Sequence, residues 1–167
     1  MSELIEKLER LFSEKILLYQ DMAECLKHEQ KSLMETDVDS LWKFSGKKQD
    51  LAGKIETLRE GILETLEAFS IDHGMERPSF SVTRVMALLP DKSLGKLRKL
   101  EVALINMKNT VQALAKQNKA FVVEYLEVID DLAKTIACAQ EVDAGYDHHS
   151  RHPEAKSKMN LFLHREA

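Results

Sequence analysis

The chain has 167 residues, with three prolines, six glycines and a formal net charge of −4. That length supplies one domain with a sizeable core, and a composition rich in Leu, Lys, Glu and Ala favours long helices over sheet. The acidic balance gives no reason to expect a nucleic-acid partner, so Lys96, Arg98 and Lys99 read as a solvated helix face. Glu3, Glu6 and Glu9 stand where a secretory signal would carry a basic end and an apolar run. No apolar stretch approaches the roughly 20 residues of a membrane helix, and a cytoplasmic protein is expected. Cys25 and Cys138 fall in helical patterns without CxxC spacing and read as buried or half-buried free thiols.

Residues 2–35 carry the first pattern. Ile5, Phe12, Tyr19, Leu26 and Leu33 recur every seven residues, with Leu8 and Met22 interleaved, the spacing of a helix that buries one seam. Lys15 and Glu29 interrupt that seam and are expected to snorkel at the edge of a bundle. At ETDVD, residues 35–39, the pattern breaks and restarts, with Thr36 or Asp37 capping a second helix and Asp39 adding charge to its first turn. This helix runs from Val38 through Leu41, Phe44, Leu51, Ile55, Leu58, Ile62 and Leu66 to Phe69. So short a break implies an antiparallel hairpin, in which Ile5, Phe12, Tyr19 and Leu26 face Leu51, Ile55, Leu58 and Ile62. Gly46, Gly53 and Gly61 weaken the second helix by up to ~1 kcal/mol each.

Gly and Pro punctuate residues 70–78, SIDHGMERP, which read as a loop with a solvated His73. Residues 79–89 read as a short amphipathic helix from a serine cap to Pro90. The third long helix, from about Leu94 to Val142, has the cleanest pattern. One column holds Leu97, Leu104, Val111, Asn118, Tyr125, Leu132 and Ala139; the other holds Leu100, Met107, Leu114, Phe121, Val128, Thr135 and Val142. Leu97 to Leu114 should close the third side of the hairpin. A single polar residue in a seam sets register or oligomeric state, which is the structural role expected for Asn118; contact with a partner is the other.

The fold expected is therefore all-α: an antiparallel bundle of three long helices with a short connecting helix over 1–142, and a flexible tail over 143–167. No catalytic apparatus is visible. No Glu is followed three residues later by His, as a di-metal bundle would require, and no phosphate loop or nucleophile elbow is present. No enzyme activity, cofactor or metal is expected. His148, His149 and His152 lie in polar sequence between Gly145 and Pro153 and read as a mobile linker rather than a metal site. Met159, Phe162 and Leu163 beyond them form a segment too short to hold a helix without a surface to dock on.

ETDVDSLWKFSGKKQDLAGKIETLR at the junction of the first two helices, followed by KQNKAFVVEYLEVIDDL on the third, is similar to the FlgN-type flagellar export chaperones. Asp37, Leu41 and Lys47 or Lys48 match the family's Asp, Leu and Lys at the second helix, and Asn118 matches its Asn ahead of an apolar run. Tyr146 matches a tyrosine in the polar segment after the third helix, although YDHHSRHP lacks the glycine that often follows it there. The resemblance implies a cytoplasmic chaperone that binds hook–filament junction (hook-associated) proteins by their C-terminal helices and hands them to the membrane export gate, with Tyr146 facing the gate. A structural coiled-coil protein that associates only with itself, a homodimer for instance, is the alternative.

Helix lengths suggest where cargo would bind. At 1.5 Å per residue the first two helices run about 50 Å and the third about 75 Å. The third should outrun the others by roughly 15 residues, leaving Tyr125, Val128, Ile129, Leu132, Ile136, Ala139 and Val142 as an uncovered apolar stripe for a cargo helix or the tail.

Overall fold

A computed structural model of the chain describes residues 2–75, 79–90 and 94–145, with the backbone alone for 139–145. Four helices and no strand are found among these residues: α1 (Ser2–Glu35), α2 (Val38–Ala68), α3 (Val82–Ala87) and α4 (Gly95–Gly145). The chain divides into two units, Met1–Tyr125 and Leu126–Ala167. The first holds the hairpin, α3 and the start of α4; of the second, the remainder of α4 is described.

The hairpin turn uses two residues with distinct duties. Thr36 takes a left-handed conformation, φ 56°, and its N–H donates to Leu33 O at 3.3 Å while Asp37 N–H donates to Ser32 O at 2.9 Å. Those two bonds close α1 in a Schellman motif, normally a glycine's position. Asp37 then caps α2, its Oδ1 accepting from Ser40 N at 3.1 Å. Hydrogen bonds from Ser40, its side chain first and its N–H next, hold the Asp37 carboxyl below its ordinary pKa. The same device ends α2. Ser70, at φ 58°, donates to Glu67 O, Ile71 N–H donates to Leu66 O, and both Ile71 and Leu66 pack into the core.

Two apolar clusters fill the first unit. One gathers Leu4, Leu8 and Phe12 of α1, Ile62 and Leu66 of α2, Val85 and Met86 of α3, and Leu97 and Leu104 of α4. The other gathers Met22, Cys25 and Leu26 with Leu51 and Ile55, against half-buried Phe44, Val111 and Leu114. Tyr19 packs against both, and burial raises its pKa. Each fully buried Leu or Ile stabilises the fold by about 1.5–3 kcal/mol. The short helix covers Val82–Ala87, less than the expected 79–89, and its N-cap Ser81 makes no side-chain cap bond.

α4 runs parallel to α1. Lys96 Nζ lies 2.6 Å from Glu9 Oε2, a separation of 87 residues, and Asn118 Nδ2 lies 2.9 Å from Leu26 O, a separation of 92. The two contacts advance together along both helices, 22 residues on α4 against 17 on α1, which gives the pair its common direction. They also bring the end of α1, at Glu35, level with α4 near Tyr125.

Three polar side chains depart from expectation. Lys15 does not snorkel: it is 2% exposed, its Nζ 4.3 Å from the centroid of Phe80. A desolvated cation–π contact is worth about 2 kcal/mol, which offsets only part of burying an ammonium. Burial, and next the charge of Arg59, lower the Lys15 pKa to about 8. Glu29 is not at an edge either, its side chain being 12% exposed and paired with Lys48. His73 is held rather than solvated. Its Nδ1 accepts from Met75 N at 3.0 Å, which leaves Nε2 to donate to Glu67 Oε1 at 3.1 Å, and its side chain is 11% exposed.

Candidate functional site

The heptad seam of α4 changes character along its length. Leu97 and Leu104 are buried; Leu100, Met107, Val111, Leu114 and Phe121 are half-buried. From Val122 onward every described side chain of α4 is exposed. The apolar pattern of the sequence continues there without burial among the described residues.

Asn118 is the last buried position of the seam, 4% exposed. Its Nδ2 donates to Leu26 O and to Glu29 Oε2, both at 2.9 Å, and Lys48 Nζ donates to the same carboxylate from α2. One amide thus ties α4 to α1 and, through Glu29, to α2. Asn118 Oδ1 is buried with no hydrogen-bond partner, a group that costs about 1–3 kcal/mol to leave unmet. A shallow groove opens beside it, bordered by Leu33, Ala115, Val122 and Val123. Of the positions singled out with Asn118 in the sequence, Lys48 thus joins its network through Glu29 and Asp37 caps α2.

Beyond the network, Tyr125 is 45% exposed, Val128 56%, Ile129 46%, Leu132 57% and Ile136 60%. Spacings of three and four put them on one helix face, which is apolar and exposed. Glu124, Glu127, Asp130 and Asp131 share this part of α4, and of its cations Lys134 pairs with Asp130 at 2.6 Å. The stripe is therefore apolar with an acidic margin. Ala139 and Val142 lie on α4, but their side chains are outside the described residues, as are Tyr146, the tail histidines and Met159 to Leu163.

Both cysteines are free; Cys25 is buried as expected, whereas Cys138 is exposed against expectation, since it lies on the uncovered part of α4, and burial raises the Cys25 pKa. Among the described residues no group of three or more His, Cys, Asp or Glu is placed to hold a metal. No helix there is long and apolar enough to cross a membrane.

Against known proteins, the family model described as FlgN protein matches residues 1–152, all of the described helices and the position of Tyr146. No curated protein and no solved structure matches the chain.

Proposed function

The chain belongs to the FlgN family of flagellar export chaperones, and on that premise we propose that its α4 stripe receives the C-terminal helix of a hook-associated junction protein in the cytoplasm. The observation that carries this reading is the exposure of Val128, Ile129, Leu132 and Ile136 together on one face. An amphipathic helix laid along them buries apolar area on both sides, the helix-in-groove mode of recognition. The acidic margin favours cargo helices with Lys or Arg flanking the apolar face. Delivery to the membrane export gate would follow with Tyr146 as the contact, as the family resemblance suggests. Asn118 belongs to the support of this surface, because its bonds to α1 hold the preceding turns of α4.

The test is Leu132→Asp combined with Ile136→Asp. Cargo-peptide binding should be abolished and the melting temperature kept within a few degrees, since exposed positions contribute little to the core. Unfolding of the double variant would assign the stripe to the core and overturn the proposal. The same stripe also suits a second copy of the chain. Sedimentation of the wild type and the double variant separates the readings: a dimer lost in the variant with no cargo bound by either protein would favour self-association.

A further inference from the structure

A cleft of about 150 Å³ in the first unit has no part in the cargo reading. Its lining includes Lys15 and Tyr19 of α1, Arg59 of α2, Phe80 and Ser81 ahead of α3, and Lys108 of α4. Three of these six are cations, in a chain whose net charge is −4. The carboxylate whose field reaches Lys15 is that of Glu56, and it already accepts from Arg59 at 2.9 Å. Among the described residues no carboxylate pairs with Lys15; its ammonium rests on the Phe80 ring, which Arg59 Cζ also approaches, at 5.6 Å. A π face neutralises a buried cation only in part. The cleft thus combines two lysines beside an Arg59 already paired with Glu56, three hydroxyls and an aromatic wall, a set that suits a negatively charged group.

We propose that this cleft binds one compact oxyanion, held by Lys15 and Lys108, with Phe80 as the wall behind it and Arg59 adding to the field. The volume has room for a phosphate or a carboxylate. Free inorganic phosphate and an acidic side chain of a bound peptide share this chemistry. The proposal does not depend on the cargo stripe, whose residues 128–136 are absent from the lining.

An occupied site reverses the balance at Lys15. The groups facing its ammonium are Arg59 and Glu56 from α2 and Lys108 from α4, and the cations among them, with burial, favour the neutral amine. An anion at hydrogen-bond distance favours the charged form and raises the Lys15 titration midpoint by about one unit or more.

The experiment follows the Lys15 side-chain NMR signal in the full chain, assigned by its loss in Lys15→Met, through a titration from neutral to alkaline pH. It is run with millimolar inorganic phosphate and with sodium chloride at equal ionic strength. Phosphate should raise the midpoint saturably; Lys108→Met should weaken the effect several-fold, and Lys116→Met, at an exposed position elsewhere on α4, should leave it unchanged. A second arm replaces phosphate with a short Glu-rich peptide and its Gln counterpart. A midpoint raised by phosphate alone assigns the site to a free ion, and one raised by the Glu peptide alone assigns it to a protein side chain; either supports the site. A midpoint unmoved by both probes, or moved equally by chloride or in Lys108→Met, overturns it.

Discussion

Replacing Asn118 by Leu and by Ala separates what its amide contributes from what its position contributes. Both variants lose the bond to Leu26 O, worth about 1 kcal/mol, and the bond to the Glu29 carboxylate, worth about 1.5–3 kcal/mol. Neither orphans a partner, because Glu29 keeps Lys48 and the Leu26 carbonyl keeps its place in α1. Both also remove the unmet Oδ1, a gain of about 1–3 kcal/mol. Those terms leave a net loss of about 1 kcal/mol. Leu adds apolar burial beside half-buried Leu114 and Phe121, up to about 1.5–3 kcal/mol, whereas Ala leaves a void. Asn118→Leu should therefore match or exceed the wild type in urea denaturation at unchanged m-value, with Asn118→Ala about 2–4 kcal/mol below Asn118→Leu. Sedimentation of the Leu variant should show mixed oligomers or a slipped register, the usual result of an apolar swap at a seam polar residue. A Leu variant more than about 3 kcal/mol less stable than wild type would mean that the amide network, not burial, holds α4 to the hairpin.

Phe12→Ala, at a side chain with no exposed surface, should cost roughly 3–5 kcal/mol; an unchanged thermal melt would contradict the packing of Phe12 in the α1–α2 core. Thr36→Gly should stabilise by about 0.5–1 kcal/mol by relieving a β-branched residue at positive φ, and Asp37→Ala should destabilise by about 1 kcal/mol through the lost cap; both are read from denaturation midpoints. Lys15 titrates near 8 when folded against an ordinary 10.5, so between those values the unfolded chain binds the extra proton and stability rises with pH. Wild type should accordingly gain on Lys15→Met by about 2–3 kcal/mol from pH 8 to 10.5; a flat difference would show that the ammonium is not desolvated. The Leu132→Asp, Ile136→Asp pair tests the cargo stripe as described above.

The helices, the two-residue hairpin turn and both columns of the α4 seam were legible in the sequence, because periodicity and capping are local. Apolar residues seven apart have to share a face whatever the rest of the chain does, and Asp37 caps α2 through a residue three positions away. What periodicity reports is which face is apolar, not whether it is covered or what meets it. Lys15 and Glu29 interrupt the α1 seam, and periodicity alone places such residues at an edge. The fold buries the first and half-buries the second, because Phe80 reaches Lys15 from a loop and Asn118 reaches Glu29 from 89 residues away. His73 likewise sits in a segment with every local mark of a solvated loop, yet Glu67 and Met75 hold it. The oxyanion cleft had no linear signal at all, since its cations come from three helices. Polar side chains inside a helical bundle are placed by their partners, and those partners are settled by how the helices align, which no local pattern encodes.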